Sequence, residues 1–465
     1  MKIYNTLTGK KQEFVPLNGN DVTMYACGIT VSGEAHIGHA YQALIYDIIR
    51  KYLEKCGYNV TYARNYTDVD DKIIAKSNET GIPADRYALM MIKNIDKQMA
   101  RLKVDDPNVW IKATECMDDI IDFTQKLIDK GHAYPTEKGD VYFSVDSFPS
   151  YGRLSHRNLE DAMNGVRVDN DESKQNPLDF ALWKSAKPGE PSWTSPWGEG
   201  RPGWHIECST MNRKTFGDQI DIHGGGRDLI FPHHENEIAQ TEALTGKPFV
   251  NYWIHNGLIK VNGQKMSKSL GNSLFLKDLM DKYSPETVKF ALLQTNYRGD
   301  INVTDNLFPD AEKHLVDFYK VFKLAADKGA KLEGEFKQID DEFNSAMSDD
   351  FNTALAISNL YGYFKTVKAK VANGELAEAG AMLNQIKNTY ALLGFFQEDV
   401  EKFIKAYAKE EKVDAPKEVV DVANQRLLAR QNKDWAESDR LRDIINGMGY
   451  DIKDAKDGYT LSKRD

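Results

Sequence analysis

Three consecutive segments decide the fold of this chain: DVTMYACG (residues 21–28), HIGHAYQALIYDIIRKYLEKCGY (residues 36–58) and NVTYARNY (residues 59–66). The first and third are short apolar runs of the kind that form buried strands. The second repeats apolar residues at helical spacing until Gly57 ends it. Strand, helix and strand in direct succession predict a parallel crossover, and such sheets bind ligands at the carboxyl ends of their strands. The sequence therefore places residues 27–39 in a binding position.

The rest of the chain is organised around this unit. A glycine- and proline-rich stretch, densest in PSWTSPWGEGRPGW, indicates an insertion, after which DQIDIHGGG resumes a strand pattern. The sequence then predicts a helix from Phe231, with His233 and Glu237 on one face. Residues 307–396 are almost wholly helical in pattern, and the segment beyond them predicts one helix and a hairpin turned at Asp457-Gly458. We expect an α/β chain with a Rossmann-like parallel-sheet domain split by an insertion, then a helical bundle and a small α+β module. The expected boundaries are 1–115 and 201–260 for the halves of the split domain, 116–200 for the insertion, 261–306 for a loop region, 307–400 for the bundle and 401–465 for the last module.

Composition narrows the class of protein. At 465 residues, with 41% apolar and 28% charged residues, the chain is typical of a soluble enzyme with more than one domain. No run is apolar enough for a membrane span or a signal peptide, so we expect a cytoplasmic protein. The net charge of −10 argues against a protein that coats nucleic acid, although residues 401–465 are neutral and least repulsive to a polyanion.

Four cysteines in so long a chain argue against a disulfide scaffold and leave thiols free for metal binding or catalysis. Cys56 and Cys116 lie in helical patterns, where we expect them to pack as small apolar residues. Cys27 ends the first strand and Cys208 follows the proline-rich turn cluster. These two are the candidates for chemistry.

Two short motifs suit a nucleoside triphosphate. HIGH, from His36 to His39, brings two imidazoles and the first-turn N–H groups of a helix to one anion-sized space. KMSKS places Lys265 and Lys268 on a polar stretch that could close over phosphates and stabilise the charge of departing pyrophosphate. Alone, HIGH could be a metal pair or two ordinary histidines, and KMSKS a solvated surface loop. In one α/β chain, the two motifs together resemble those of class I aminoacyl-tRNA synthetases.

A third motif, HGGGRDL, places glycines at the carboxyl end of another strand. Backbone can approach a nucleoside closely there, and Asp228 can accept hydrogen bonds from ribose hydroxyls. A glycine cluster alone would be weak evidence for a nucleotide site, but together with the other two motifs it indicates contact with a nucleotide. The residues expected to bind ATP are His36, Gly38, His39, Gly225, Asp228 and Lys268.

The remaining chemistry is that of a soft metal. Cys27, Cys208, His233 and Glu237 can all reach the strand-end cleft, and thiolate, imidazole and carboxylate together suit zinc better than magnesium or iron. The spacing alone would favour buried cysteines beside a capping carboxylate. A metalloprotease helix is excluded because the HExxH pattern fails at Ile238.

The order of CGITVSGEAHIGH, GRPGWHIECS, HGGGRDLIFPHHENE, YWIHNG, KMSKSLGN and DDFNTALA resembles that of the cysteinyl-tRNA synthetases over essentially the whole chain. The resemblance implies one zinc ion on Cys27, Cys208, His233 and Glu237, which would select the substrate thiol. It implies catalytic roles for His36, His39, Lys265 and Lys268, and substrate contacts at Gly28, Thr67 and Trp204. The implied partners are ATP with Mg²⁺, L-cysteine and tRNA(Cys), bound by a monomer. Residues 1–260 would hold the catalytic domain, 261–306 the KMSKS loop and stem contacts, and 401–465 the anticodon-binding domain.

The sequence leaves open two alternative functions and the effect of two residues that depart from the family pattern. A related ligase could join activated cysteine to an amino-sugar, and a zinc-stabilised RNA-binding protein could have lost catalysis. The tail argues against the first and the intact HIGH and KMSKS motifs against the second. Tyr41 stands where many family members have arginine, and Arg227 where a small polar residue is common. The first puts local packing under the ATP site in question, and the second could add a tRNA or nucleotide contact.

Overall fold

The computed structural model describes residues 1–157, 173–266, 271–407, 415–455 and 458–464. The strands in this part of the chain are β1 (Lys2–Asn5), β2 (Lys10–Glu13), β3 (Asp21–Thr30), β4 (Asn59–Thr67), β5 (Val109–Lys112), β6 (Ala133–Pro135), β7 (Val141–Phe143), β8 (Phe180–Ser185), β9 (Trp193–Ser195), β10 (Gly198–Pro202), β11 (Ile220–Gly226), β12 (Val250–Asn256), β13 (Ile259–Val261), β14 (Gln264–Lys265), β15 (Ile301–Val303), β16 (Tyr450–Ala455) and β17 (Gly458–Lys463). The helices of at least seven residues are α1 (Ile37–Lys55), α2 (Asp71–Thr80), α3 (Ala84–Arg101), α4 (Met117–Asp129), α5 (Trp204–Phe216), α6 (Glu235–Thr245), α7 (Leu276–Lys282), α8 (Pro285–Leu293), α9 (Leu307–Asp327), α10 (Lys337–Ser348), α11 (Thr353–Ala372), α12 (Leu376–Tyr390), α13 (Val400–Tyr407), α14 (Lys417–Gln431) and α15 (Trp435–Gly447).

A five-stranded parallel sheet forms the centre, in the order β12-β11-β3-β4-β5. β3, α1 and β4 make the crossover that the sequence predicts. Helix α1 starts beyond the cap residue His36 and ends before Gly57, whose φ of 91° is a conformation that glycine adopts without strain. The carboxyl end of β3 and the amino end of α1 therefore meet at one edge of the sheet.

A second, antiparallel sheet lies between the halves of the first in sequence. Its order is β6-β7-β8-β10-β9, and it enters the chain after β5 and α4. Both sheets share one core: Tyr25 and Ala63 of the central sheet belong to the same apolar cluster as Phe143 and Trp183 of the second. The inserted sheet is thus packed against the central one.

Residues Met1–Glu398 form one compact unit and Asp399–Asp465 another. In the first, a small sheet of order β14-β13-β15 follows β12, and helices α9 to α12 make the predicted bundle. The second unit packs α14 and α15 on the β16–β17 hairpin around a small core of Val419, Ala423, Ile445, Tyr450 and Ile452. Its predicted turn residue Asp457 lies outside the described residues.

The α/β class, with a Rossmann-like sheet, an insertion, a bundle and a small α+β module, is confirmed. Among the described helices, none combines the length and the apolar character needed to cross a membrane.

Candidate active site

A cavity of about 380 Å³ opens at the carboxyl ends of β3, β11 and β12. Of the predicted site residues, six line it: Gly28, His36, Gly38, His39, Trp204 and Asp228. A larger cavity of about 470 Å³ lies between α2, α3 and the loop before β9, and it contains none of the predicted residues. Six of the predicted residues therefore meet at the strand-end cavity.

The HIGH motif forms the amino end of α1. His36 is the cap residue, and its Nδ1 accepts a hydrogen bond from the Gly38 N–H at 3.1 Å. The His39 Nδ1 accepts from the His36 N–H at 3.4 Å, and the two rings stack with their centroids 3.6 Å apart. Two imidazoles and the positive end of a 19-residue helix thus face one cavity, an arrangement that suits phosphate.

The residues that follow the KMSKS motif are hydrogen-bonded to the residues around His36. Lys265 is exposed on β14, which pairs with β13, whereas Lys268 lies outside the described residues. Beyond the motif, the Leu274 carbonyl accepts from the Ile37 N–H at 2.8 Å, and the Leu276 N–H donates to the Ala35 carbonyl at 2.9 Å. The segment after the motif is therefore held against the start of α1.

The glycine motif is packed too tightly for side chains. A Cβ on Gly224 would overlap the ring of Tyr46, whose hydroxyl hydrogen-bonds with the carbonyl oxygens of Gly225 (3.1 Å) and Ile254 (2.7 Å). Gly226 and the exposed Asp228 line the cavity, while Gly225 is buried one residue earlier. The end of β11 thus presents backbone and one carboxylate to the cavity.

The four predicted metal ligands converge next to two residues that line the cavity, because Cys27 precedes Gly28 and His233 stacks on Trp204. Cys27, Cys208, His233 and Glu237 are all buried, and one ligand atom from each lies within 4.8 Å of the others. The two sulfur atoms are 3.8 Å apart, and His233 Nε2 lies 3.1 Å from Glu237 Oε1. Residues more than 200 positions apart in sequence therefore form one donor cluster.

The electrostatics of this cluster favour ionised ligands. Burial by itself would raise the pKa of the Glu237 carboxyl, but the charges and hydrogen bonds of His223 and His233 lower it to about 2. A hydrogen bond from Cys27 lowers the pKa of the Cys208 thiol to about 6, whereas burial raises the pKa of Cys27 well above its usual range. The surroundings therefore favour the ionised form at Cys208 and Glu237 and the neutral form at Cys27.

A neighbouring histidine orients His233. Burial lowers the pKa of His205 well below its usual value, so its ring is neutral and can accept at Nδ1. The Nδ1 atoms of His205 and His233 are 2.9 Å apart, so His233 donates there and turns Nε2 towards Glu237. Such a partner on the second ring nitrogen is usual for histidines that bind metal.

A second group of donors overlaps the first. One ligand atom each from Cys27, Glu237, His223 and His234 also lies within 4.8 Å of the other three. His223 stacks on the buried Trp253, and His234 Nδ1 hydrogen-bonds with His255 Nε2 at 2.7 Å. This group is buried like the first, but it includes one thiol, whereas the predicted quartet includes two. The quartet is therefore the better match to a soft metal.

The donor set fits zinc on its chemistry: two sulfurs, one imidazole nitrogen and one carboxylate oxygen match the ligands and the number that tetrahedral zinc takes.

Comparisons with known proteins agree with this geometry. The family model described as tRNA synthetases class I (C) catalytic domain matches residues 13–313. A cysteine–tRNA ligase of Syntrophotalea carbinolica is 44% identical, with all of both chains covered, and one of Desulfotalea psychrophila is 46% identical over 98% of each. The chain belongs to the cysteine–tRNA ligase family. The predicted family and enzyme class are thereby confirmed.

Two further matches concern parts of the fold. A DALR domain model matches residues 342–397, within the bundle of this ligase family member. Mycobacterium tuberculosis methionyl-tRNA synthetase, solved with methionyl-adenylate, is 14% identical with a TM-score of 0.60 over 83% of this chain and 93% of that one. That likeness supports the fold alone. The assignment of residues 401–465 to the anticodon stays a prediction.

The predicted substrate contacts differ in their exposure. Trp204 lines the cavity, is 39% exposed and stacks on His233 with ring centroids 4.2 Å apart. Gly28 lines the cavity through its backbone, and a Cβ there would overlap the Asn65 carbonyl. Thr67 is buried and accepts a hydrogen bond from the Asn65 amide at 3.3 Å.

The two departures have partners within the protein. The Tyr41 hydroxyl donates to the Tyr297 carbonyl at 3.2 Å, and Arg227 forms an ion pair with Asp300. Asp300 also accepts from the Leu258 N–H at 3.0 Å. Tyr41, just after the HIGH motif, and Arg227, at the end of the glycine motif, thus connect these motifs to the segment around β15.

Sequence reasoning missed the histidines around the metal ligands. His223, His234 and His255 are buried and His205 is half-buried, and the four rings contact this cluster or one another. His223 stood in the glycine motif and His234 in PHHENE, so their positions at strand and helix ends were a signal. Their contacts depend on side chains from four different elements, which no sequence window contains.

Proposed function

We propose that this chain activates L-cysteine with ATP to give cysteinyl-AMP and pyrophosphate and then transfers the cysteinyl group to tRNA(Cys). The observation that carries the proposal is the convergence of Cys27, Cys208, His233 and Glu237 next to the cavity onto which HIGH opens. Gly28, which follows Cys27, and Trp204, which stacks on His233, both line that cavity. The thiol-selective cluster would then bind the cysteine side chain, and the helix end would bind the phosphates of ATP.

In the first step, the cysteine carboxylate attacks the α-phosphate of ATP and pyrophosphate leaves. His36 and His39 lie at the positive end of α1 and would stabilise the charge that develops on the phosphates. Lys265 and Lys268 would act on the departing pyrophosphate, and Mg²⁺ would accompany ATP through phosphate oxygens and water. No side-chain nucleophile is needed, because phosphoryl transfer of this kind depends on positioning and charge stabilisation.

Selection of cysteine over serine would depend on the quartet. A zinc ion there would supply strong binding of thiolate, which packing alone cannot supply because the two amino acids are nearly isosteric. The chain's own residues set the conditions: the surroundings lower the pKa of Glu237 and of Cys208, and His205 orients His233. Trp204, stacked on His233, would cover the side chain of the bound amino acid.

In the second step, a hydroxyl of the terminal tRNA ribose attacks the activated carboxyl carbon and AMP leaves. The DALR domain match and the full-length similarity to cysteine–tRNA ligases support tRNA as the acceptor. We assign residues 401–465 to the anticodon, since this unit is free of the net negative charge that the first 400 residues carry.

The variant Cys208→Ser tests the role of the quartet. Serine lacks a thiolate, so the purified variant should hold little zinc, and kcat/KM for cysteine in ATP–pyrophosphate exchange should fall by about 100-fold or more. The KM for ATP should change little. Cys116→Ser is the matched control, because Cys116 is equally buried outside the site. A Cys208→Ser protein that keeps its zinc and its kcat/KM for cysteine would overturn the assignment.

An amino-sugar acceptor is the rival function. Charging of tRNA(Cys) with labelled cysteine, measured beside transfer to glucosamine, separates the two. The proposal expects charging of tRNA and no sugar conjugate. Exchange activity with a sugar product and uncharged tRNA would favour the rival.

A further inference from the structure

The strand that carries Cys27 is irregular at that residue. β3 and β4 pair in register up to Ala26 opposite Arg64, and the pairing resumes with Ile29 opposite Tyr66. Cys27 and Gly28 therefore stand opposite the single residue Asn65. Such a bulge redirects the side chains beside it, and bulges are frequent next to active sites.

The side chain of Asn65 occupies this bulge. Asn65 is 1% exposed, and its Oδ1 accepts from the Gly28 N–H at 2.8 Å. This N–H fixes which end of the amide is oxygen, so the Nδ2 group points to the Thr67 hydroxyl at 3.3 Å. The same Oδ1 lies 3.8 Å from the Cys208 sulfur. One amide thus contacts the backbone after one thiol ligand and the side chain of the other.

The contacts continue to the helix that carries Cys208. Thr67 also interacts with the carboxyl of Glu207, the residue before Cys208 on α5. Glu207 is 1% exposed, and within the described residues its Oε2 has no hydrogen-bond partner. A buried polar chain therefore runs from Gly28 on β3, through Asn65 and Thr67 on β4, to Glu207 on α5.

We infer that Asn65 is a positioning residue that holds the Cys27 and Cys208 thiols together for the metal. The inference rests on the proposed zinc site. Cys27 is carried by a strand and Cys208 by a helix of the second half of the domain, and the Asn65 amide is bonded to both sides. A preformed pair of sulfurs 3.8 Å apart lowers the cost of gathering distant ligands. Partners that orient metal ligands typically contribute about 10- to 100-fold to metal affinity.

The test measures zinc affinity by chelator competition, together with the KM values for cysteine and ATP in pyrophosphate exchange. Asn65→Ala should bind zinc about 10- to 100-fold more weakly. Its KM for cysteine should rise and its KM for ATP should stay close to wild type. Thr67→Val keeps the shape of the side chain and the Asn65–Gly28 bond but removes the hydroxyl, so its zinc affinity should fall by about tenfold. Asn5→Ala, at an asparagine that is 3% exposed outside the site, is the control for losing a buried amide.

The outcomes separate this inference from the proposed function. Wild-type zinc affinity in a folded Asn65→Ala protein would overturn the inference and leave the zinc site intact. If Asn65→Ala does not fold, Thr67→Val decides, and an unchanged affinity there would overturn the inference. A wild-type protein that binds no zinc would overturn both.

Discussion

The amine of Lys289 is buried, and its burial makes the stability of the protein depend on pH. It is 4% exposed, and its Nζ donates to the Lys103 carbonyl at 2.5 Å. Burial and the nearby Lys51 charge lower its pKa from 10.5 to about 8. The unfolded chain therefore binds this proton more tightly than the folded chain between about pH 8 and 10.5. Stability must rise with pH across that window and is lower below it.

Lys289→Met should remove this pH dependence. From pH 7.5 to 10.5 the unfolding free energy of the wild type should rise by about 2 to 3 kcal/mol relative to that of the variant, as the shift in the pKa of Lys289 requires. Urea denaturation at several pH values measures it. Lys337→Met, at an exposed lysine, controls for the loss of a surface charge. A difference between wild type and Lys289→Met that does not vary with pH would contradict the assignment.

Individual residues were predictable where their position on an element was informative. In the sequence Cys27 lies at a predicted strand end and His36 and Asp228 follow such ends, and the structure brings all three to one edge of the sheet. Asn65 was not predictable, because it stands inside an ordinary strand pattern and its role comes from a bulge on the neighbouring strand. A bulge depends on pairing between segments, which one segment does not reveal.

The element that follows β11 differs from its sequence pattern. The sequence predicts a helix from Phe231 with His233 and Glu237 on one face, but α6 starts at Glu235. Phe231 has φ −137° and ψ 130° because a following proline disfavours helical backbone, and His233 lies in an irregular turn. The two ligands still converge. The crossover from β3 to β4, by contrast, was predictable from local pattern alone.

The link between the glycine motif and the β13–β15 sheet gives a prediction at this scale. Asp300 forms ion pairs with Arg227 and Lys260 and accepts a hydrogen bond from the Leu258 N–H. The substitution Asp300→Ala would leave this N–H without its acceptor. We expect Asp300→Ala to raise the KM for ATP several-fold and to cost about 1 to 3 kcal/mol. Arg227→Ser should cost less than about 1 kcal/mol, since that arginine is 47% exposed on its side chain. Equal effects of the two variants on stability and on the KM for ATP would contradict this.

Across the first compact unit, Asp350 joins distant parts of the chain. Its buried carboxylate accepts from the Tyr4 N–H (2.8 Å), the Tyr297 hydroxyl (2.8 Å) and Arg298 Nε (2.9 Å). It thus connects β1, the segment before β15 and the bundle. Long-range contacts of this kind are invisible to sequence patterns, which predicted the bundle but not how it attaches.

Asp350→Ala should destabilise this unit by about 3 kcal/mol, because three donors lose one charged acceptor. Asp349→Ala is the adjacent control: its side chain is 55% exposed and pairs with Lys11, so the cost should be below about 1 kcal/mol. Thermal unfolding of both variants measures the difference. Similar losses in the two variants would show that Asp350 does not join these segments.

ATP–pyrophosphate exchange driven by cysteine and by serine, with and without a zinc chelator, decides whether a metal cluster selects the substrate. We predict exchange with cysteine, little with serine, and loss of the cysteine-driven reaction when zinc is removed, with activity restored by added zinc. Equal exchange with both amino acids, or cysteine-driven exchange that continues in a protein shown to be free of metal, would contradict the proposed role of Cys27, Cys208, His233 and Glu237.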